Sequence, residues 1–159
     1  MKKHYDQVYR FHAAAGIEMP ETPTVLTSSA LTNKHYGVLL SELSREMKAD
    51  SSKGLGGEVL KRASYMLEEL GEFMEADTIE DQADALTDLL YFTLGTFTLM
   101  GINPEPIFNI VARANLGKIL PDGTVLRDVQ GKIVKPDGWH EKHAPEREIK
   151  EEIERQRKG

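Results

Sequence analysis

The sequence predicts an all-α helical bundle with a small β-hairpin appendage near its C-terminus. Two observations favour helices: apolar residues recur with a period near 3.6 through most of the chain, and glycine or proline separates the periodic stretches. A third observation favours the hairpin, because Asp122-Gly123 and Gln130-Gly131 flank the short segment TVLRDV. At 159 residues, the chain is expected to form a single domain over residues 1–159.

Five helices are predicted before the hairpin, over residues 3–15, 33–49, 58–76, 79–100 and 104–117. Pro104 falls in the first turn of the fifth, where its missing N–H costs little. The stretches 17–29 and 50–57, rich in Pro, Gly, Ser and Thr, are predicted to be irregular connections. The hairpin is expected within 119–140. Residues 140–159 are predicted to form a highly charged, solvent-exposed tail helix.

The composition excludes several classes of protein. The chain has no cysteine, so neither a disulfide framework nor a thiolate zinc site can form. Its net charge of −6 argues against tight binding to a nucleic-acid polymer, which requires a basic surface. No apolar run reaches transmembrane length, and the first residues lack an apolar signal core. We therefore expect a cytoplasmic protein that binds neither membranes nor nucleic-acid polymers. The five histidines show no metal-ligand spacing and are assigned to the surface.

Acidic residues lie beside the apolar face of the third predicted helix. The apolar residues of this helix cluster within an arc of about 120°. Glu69 and Glu72 fall at the edge of that arc, three residues apart, so their carboxylates are neighbours. Glu68 and Glu75 point further towards solvent. Because such a pair is common on amphipathic helices, it does not identify a site on its own.

The fourth predicted helix carries acids although it is apolar around most of its circumference. It is therefore expected to be a buried, central helix. Asp81, Asp84 and Asp88 share a stripe of about 60° on it, and Tyr91 continues the stripe. Buried acids repel one another and lose hydration unless they are protonated or meet a cation. The alternative is that the stripe faces solvent at one end of the bundle. A site with oxygen ligands only selects Mg²⁺ or Mn²⁺ over zinc or copper.

Several segments, taken in order, resemble one group of enzymes. FHAAAGIEMPETPT resembles the N-terminal segment of that group, EVLKRASYMLEELGEF its R…EExxE helix, and DALTDLLYFTLGTFTLMGI its second acidic helix. IFNIVARANLGKI and KPDGW resemble its C-terminal N-x-x-K and KP-x-GW segments. The chain thus resembles the all-α nucleoside triphosphate pyrophosphohydrolases, which include MazG, the dimeric dUTPases and phosphoribosyl-ATP pyrophosphohydrolase. It is most similar to the small MazG-like, dUTPase-related members.

The resemblance implies an Mg²⁺-dependent hydrolase, with Mn²⁺ as the other candidate cation, that converts a nucleoside triphosphate to the monophosphate and pyrophosphate. It implies that Glu69 and Glu72 bind metal from one helix and Asp88 from the next. The usual second motif is ExxD, but the position three before Asp88 is Ala85, which cannot be a ligand. Asp84 lies one turn before Asp88, so it is predicted to supply the missing carboxylate.

Further residues are assigned to proton transfer and to the substrate. Glu68 or Asp81 is predicted to take the proton of the attacking water. Lys118 is predicted to stabilise charge that develops on the phosphates. The predicted substrate contacts, which come from all the motifs, are Arg62, Tyr91, Asn115, Lys118, Lys135 and Trp139.

Each of these contacts has an ordinary structural alternative. Asn115 and Lys118 would also serve as the C-terminal cap of the fifth helix. Trp139 would anchor the tail against the bundle, which is the favoured interpretation because large aromatic side chains usually bury for packing. Tyr91 is either a ligand contact or a core tyrosine. Arg62 pairs either with a phosphate or with the glutamates.

The resemblance favours dUTP or another pyrimidine deoxynucleotide, hydrolysed as a house-cleaning activity, and a broader range of triphosphates is the nearest alternative. Phosphoribosyl-ATP is a further one. A different class of function is a catalytically silent, metal-binding helical dimer that acts as an interaction protein, which Ala85 supports. Since relatives pair across a two-fold axis, a homodimer or higher oligomer is expected. The segment 26–57 is predicted to form a lid, a dimer contact or an altered base pocket.

Overall fold

The computed structural model describes residues 1–26 and 30–158. Within these ranges the chain is helical, so the predicted all-α class is confirmed. The helices are α1 (Lys2–Ala14), α2 (Ala30–Ser52), α3 (Gly57–Glu75), α4 (Ile79–Leu99), α5 (Pro104–Leu116), α6 (Trp139–His143) and α7 (Glu146–Lys158). No single helix in the described ranges is long and apolar enough to cross a membrane, although α4 and α5 taken together would pass by length and composition.

The predicted β-hairpin is wrong. In place of paired strands, the segment forms two isolated antiparallel bridges, Ile119 with Val125 and Arg127 with Ile133. The Arg127 guanidinium donates to the backbone carbonyls of Gly131 and Ala15, each at 2.6 Å. Asp128 Oδ1 accepts hydrogen bonds from two backbone N–H groups of the following turn, each at 2.9 Å. Side chains thus satisfy backbone groups that a strand ladder would otherwise pair.

The helices form two compact units. The terminal unit comprises Met1–Pro20 and Ile102–Gly159, and the central unit comprises Glu21–Gly101. The assignment of 1–159 as one domain stays a prediction. In the terminal unit the single tail helix predicted over 140–159 is divided into two helices, because Pro145 separates the short α6 from α7, which begins at Glu146. Gly159 lies outside the described residues.

The central unit is built on a close crossing of α2 and α3. A side chain on Gly71 would place its Cβ 2.7 Å from Ser41 Oγ and 3.2 Å from the Gly37 carbonyl oxygen. Ser44, fully buried, donates to the backbone carbonyl of Ser64 at 2.9 Å. Small residues therefore let the two helices approach, and this fixes where α3 holds its acids. Most of the segment 26–57 is the helix α2 itself, and residues 27–29 lie outside the described residues.

Gly71→Ala should destabilise the protein by about 1–3 kcal/mol, because the new methyl group overpacks the α2–α3 crossing. Chemical denaturation would measure the change. Adding Ser41→Ala removes the nearest atom, so the double variant should recover part of the loss. Equal stabilities of the wild-type and Gly71→Ala proteins would contradict the close crossing.

The helix α4 is not the buried central helix that its composition predicts. Its buried residues are Gln82 and Ala85, whereas Leu86 is 45 % and Leu99 63 % exposed. Within the central unit α4 packs against α3, so one side of an apolar helix is covered and the others remain open. Gln82 uses its buried amide to hold the chain before α2, accepting from Leu26 N–H at 2.9 Å and donating to the Leu26 carbonyl at 3.0 Å.

In the terminal unit, α5 packs against both α1 and α7. Gln7 Nε2 donates to Asn109 Oδ1 at 3.1 Å, which ties α1 to α5. Arg113 on α5 pairs with Glu148 on α7. These polar links join α5 to its two neighbours, of which α7 has a highly charged sequence.

The pKa of Glu152 in α7 is lowered from 4.5 to about 2, first by a hydrogen bond from Arg155 and then by one from Gln156. A lowered pKa means that Glu152 stabilises the fold above pH 4.5 and loses this effect as the pH falls towards 2. Thermal unfolding should therefore show Glu152→Gln less stable than wild type at pH 7, with the gap narrowing in acid. Glu151→Gln, which alters only an exposed pair with Arg147, is the control. A gap that is independent of pH would contradict this assignment.

Candidate active site

Glu69 is the most unusual acid in the central unit. Glu69 is only 7 % exposed, and its carboxylate has no hydrogen bond or ion pair with any described residue. Burial raises the pKa of Glu69 above its usual value, and the charges of Glu72, Asp88 and Glu68 raise it further, against a smaller lowering by Lys48. The acids of α3 and α4 thus lie within electrostatic reach of one buried carboxylate.

A cleft of ≈ 390 Å³ lies between the C-terminal end of α3 and the first half of α4. Its acidic lining residues are Glu72, Glu75, Asp77, Asp81 and Asp84. Glu72 therefore belongs both to this cleft and to the surroundings of Glu69. Glu75, which the sequence placed towards solvent, and Asp77 were not among the predicted site residues. The short connection between α3 and α4 could have predicted their position, because it brings the end of one acidic helix beside the start of the next.

Several of these acids are already engaged with neighbours. Asp77 pairs with Lys34 at 2.6 Å, and Glu75 accepts a hydrogen bond from Ser41 Oγ at 3.3 Å. Asp81 accepts from Thr78 Oγ1 at 2.7 Å while its own N–H donates to the same oxygen at 3.1 Å, which closes the N-terminal cap of α4. Glu68 forms an ion pair with Lys48. Proton acceptance by Glu68 or Asp81 would require them to leave or share these partners.

Of the acids around Glu69 and in the cleft, four have no side-chain partner among the described residues: Glu69, Glu72, Asp84 and Asp88. They are the four residues that the sequence assigned to a metal ion. The described ranges contain no group of three or more His, Asp or Glu side chains that already converges on one point. Glu72, Asp84 and Asp88 are exposed, so side-chain rotation alone would alter their directions. Carboxylate oxygens without cationic partners suit a hard divalent cation such as Mg²⁺ or Mn²⁺.

Neighbouring positions on α4 explain how Asp84 differs from the expected ligand position. Ala85 is 3 % exposed and packs inward, whereas Asp84 is exposed and lines the acidic cleft. Asp88, one turn later, raises the pKa of Glu69. On α4, therefore, Ala85 is buried whereas the side chains of Asp84 and Asp88 are exposed.

Arg62 and Tyr91 occupy a different part of the central unit. Arg62 Nε donates to Thr96 Oγ1 at 3.1 Å and its Nη2 to the Phe92 carbonyl at 2.7 Å, so it binds α4 rather than the glutamates. Gly95 leaves room for this guanidinium, since a Cβ there would lie 2.9 Å from Arg62 Nη2. Tyr91 is 72 % exposed and is not a core tyrosine. Both residues line a cleft of ≈ 470 Å³ with largely apolar walls.

The remaining predicted substrate contacts lie in the terminal unit. Lys118 Nζ donates to Asn115 Oδ1 at 2.8 Å. Burial lowers the pKa of Lys118, and the nearby charge of Lys135 lowers it further. Lys135 Nζ lies 4.3 Å from the centre of the Trp139 ring and 3.5 Å from His140 Nε2. Neither lysine has an acidic partner among the described residues, so this cluster of positive charge suits an anion.

Trp139 is one of the best-buried side chains of the terminal unit. It is 4 % exposed, and its indole N–H donates to the Ala114 carbonyl at 3.0 Å. This is the geometry expected of a residue that anchors the segment after the turns to α5. The face of its ring is nevertheless covered by the Lys135 ammonium, a cation–π contact that joins the anchor to the positive cluster.

Comparison with known proteins gives two matches. The profile of the family described as phosphoribosyl-ATP pyrophosphohydrolase matches residues 34–115, which include the acids of α3 and α4. A solved structure from Exiguobacterium sp. 255-15, of a protein assigned as an NTP pyrophosphohydrolase, is 27 % identical with a TM-score of 0.62. The match covers 98 % of this chain and 96 % of that one. No curated protein sequence matches the chain.

Proposed function

Since the chain belongs to the phosphoribosyl-ATP pyrophosphohydrolase family, and so is a hydrolase acting on acid anhydrides, we propose that it hydrolyses nucleoside triphosphates with Mg²⁺. The products are the monophosphate and pyrophosphate. The favoured substrate is dUTP or another pyrimidine deoxynucleotide, and the role is house-cleaning of the nucleotide pool in the cytoplasm. The likeness to a protein assigned as an NTP pyrophosphohydrolase supports the triphosphate as the substrate class.

One observation carries the proposal. A buried glutamate, Glu69, lies among the acids Glu72, Asp88 and Glu68, and only Glu68 has a cationic partner within the described chain. Buried like charges are unfavourable unless a cation compensates them. A divalent cation bound by these carboxylates would compensate their charge. The same cation would accompany the triphosphate substrate of a pyrophosphohydrolase.

Glu69, Glu72, Asp84 and Asp88 are the proposed metal ligands. When bound, Mg²⁺ or Mn²⁺ would neutralise the triphosphate and lower the pKa of a coordinated water. The exposed carboxylates of Glu72, Asp84 and Asp88 would turn towards the ion, while Glu69 is fixed by burial. In this set Asp84 takes the place of the acidic ligand that the family pattern expects at position 85, where this chain has alanine.

Glu68 is the preferred acceptor for the proton of the attacking water. It follows Leu67 on the half-buried side of α3, and its charge contributes to the raised pKa of Glu69, so it lies beside the proposed ligands. Its ion pair with Lys48 would hold the carboxylate in place. Asp81, the other candidate, is already used by the cap of α4.

The substrate contacts complete the proposal. Lys118 and Lys135 are assigned to phosphate oxygens because neither lysine has an acidic partner in the described terminal unit, and Asn115, which accepts a hydrogen bond from Lys118, is assigned to the substrate with them. Trp139 positions Lys135 through its ring. Arg62 and Tyr91 are secondary candidates for substrate contacts, because the Nε and Nη2 donors of Arg62 already form hydrogen bonds with α4.

A homodimer is part of the proposal. The helix α4 exposes a row of leucines spaced by about one turn, Leu86, Leu90 and Leu94, each between 38 % and 45 % exposed. Such a row on a helix is typical of a surface that another apolar face covers. A two-fold arrangement would bury it in both copies.

Pyrophosphate release from a panel of triphosphates tests the proposal. The panel contains dUTP, dCTP, dTTP, dATP, ATP and phosphoribosyl-ATP, each with Mg²⁺, Mn²⁺ or EDTA. We expect monophosphate and pyrophosphate in the presence of metal only, with a pyrimidine deoxynucleotide turned over fastest. Exclusive use of phosphoribosyl-ATP would replace the proposed substrate. No release from any substrate would favour the silent metal-binding dimer.

A further inference from the structure

Tyr65 lies on α3 one turn before the acids Glu68 and Glu69, and neither the metal site nor the substrate contacts of the proposed function use it. Its side chain is half-buried. The hydroxyl of Tyr65 has no hydrogen-bond partner among the described residues. The position of this side chain is therefore set by contacts of its aromatic ring, and those contacts reach both of the helices that pack against α3 within the central unit.

The first contact of the Tyr65 ring is with α2. The ammonium of Lys48 lies 5.3 Å from the centre of the ring, within the distance of about 6 Å at which a cation is attracted to an aromatic face. The same ammonium forms the ion pair with Glu68. Lys48 thus has two partners on α3, a ring and a carboxylate, and their spacing of three residues makes them neighbours on that helix.

The second contact of the Tyr65 ring is with α4. The centroids of the Tyr65 and Phe92 rings lie 5.3 Å apart. The guanidinium carbon of Arg62 lies 5.6 Å from the centre of the Tyr65 ring and 5.4 Å from that of Phe92, so it packs against both rings. Arg62 also donates to the Phe92 carbonyl at 2.7 Å. The Tyr65 ring is therefore fixed by α4 while it holds Lys48 of α2.

Lys48 needs such support because its ammonium is carried on a flexible stem, and a single ion pair at a partly exposed site does not define its position. The side chain of Lys48 is 31 % exposed and that of Glu68 is 38 % exposed. The charge of Lys48 also reaches a second acid. Burial raises the pKa of Glu69 and neighbouring acids raise it further, whereas Lys48 lowers it. A ring that fixes Lys48 consequently fixes a charge that acts on both acids.

We propose that Tyr65 is a positioning residue of the hydrolase, whose ring holds the Lys48 ammonium where it directs the carboxylate of Glu68. The inference rests on the proposed function, in which Glu68 accepts the proton of the attacking water. It adds to that function a residue that acts through Lys48 and that the family motifs do not include. The role belongs to the ring and not to the hydroxyl, so phenylalanine should replace Tyr65 and leucine should not.

Steady-state pyrophosphate release from the best triphosphate of the panel compares the variants, and thermal unfolding checks that each is folded. Tyr65→Leu should lower kcat about tenfold to a hundredfold and leave KM within about twofold, since small misplacements of catalytic groups have costs of this order. Tyr65→Phe should keep kcat within about twofold of wild type, because it keeps the ring. Tyr5→Leu, which removes an exposed tyrosine of α1, is the matched control and should change neither constant.

A double-mutant cycle separates positioning from a general loss of packing. In the Glu68→Gln background, Tyr65→Leu should cause no further loss of kcat, because the ring acts through the carboxylate of Glu68. NMR of the metal-free protein measures the ring contact itself. The methylene protons beside the Lys48 ammonium should show a ring-current shift in the wild-type and Tyr65→Phe proteins that Tyr65→Leu lacks.

Three results would overturn the inference: wild-type turnover by Tyr65→Leu, a Tyr65→Phe protein as slow as Tyr65→Leu, or the same loss from Tyr65→Leu with and without Glu68→Gln. An identical Lys48 signal in the wild-type and Tyr65→Leu proteins would overturn it as well, and this measurement does not depend on turnover. Any of these results beside normal pyrophosphate release by the wild type would reject the role of Tyr65 and leave the hydrolase standing.

Discussion

Glu69→Gln should abolish pyrophosphate release while leaving the metal-free protein at least as stable as wild type. The expected loss of rate is at least about a hundredfold, because even outer-shell changes at metal sites cost 10–100-fold. The stability follows from the raised pKa of Glu69: the charged carboxylate is unfavourable among Glu72, Asp88 and Glu68, and the amide removes that repulsion. Steady-state turnover and thermal unfolding in EDTA measure the two effects.

Two further variants control this experiment. Asp88→Asn should lose activity to a similar extent without loss of fold, since it removes a second proposed ligand. Glu80→Gln changes an exposed acid in the first turn of α4 that does not line the acidic cleft, and it should retain activity. A folded Asp88→Asn protein with full turnover would rule out the site. A Glu69→Gln protein that is less stable than wild type without metal would contradict the electrostatic account.

Trp139→Ala should destabilise the terminal unit by about 3–5 kcal/mol, the usual cost of truncating a buried tryptophan. The side chain is 4 % exposed and its N–H donates to the Ala114 carbonyl of α5. Removing it leaves a void beside α5 and an unpaired carbonyl. Denaturant unfolding followed by circular dichroism measures the loss.

Trp139→Phe is the matched comparison. It keeps an aromatic ring for Lys135 and loses the indole N–H, so it should cost less than the alanine variant, with about 1 kcal/mol from the hydrogen bond. Equal stability of the wild-type and alanine proteins would contradict the anchoring role. In that case Trp139 would be a ligand contact only.

The helices were predictable because their signals are local. Pro104 begins α5, Thr78 caps α4 through its hydroxyl, and the apolar periods run through both. The spacing of Glu69 and Glu72 also placed two acids on one side of α3, and family motifs added Asp88. These features depend on residues three to four apart, so a single sequence contains them.

The errors came from tertiary contacts. One apolar residue of α3, Val59, is exposed, because α2 approaches that helix at Gly71 and Ser64 instead. Hydrophobicity alone made α4 a buried helix, although it packs on α3 and leaves Leu86 open. The period of the apolar residues predicts a helix, but it does not predict how many other helices of the same chain pack against it.

The sequence also could not assign partners to charged residues. Lys48 pairs with Glu68 from a different helix, and Arg62 donates to α4 rather than to an acid. The hairpin failed for a related reason, since Asp128 binds backbone groups that strands would have used. Which acids stay unpaired, and are thus free for a cation, emerges only from the folded structure.

Direct titration with Mn²⁺, followed by electron paramagnetic resonance of the free ion, tests the central claim most directly. We predict that the wild-type chain and Glu80→Gln bind Mn²⁺, that Mg²⁺ displaces it, and that Glu69→Gln and Asp88→Asn bind at least about tenfold more weakly. Binding that is equally tight in all four proteins, or absent from the wild type, would contradict a divalent cation held by the acids of α3 and α4.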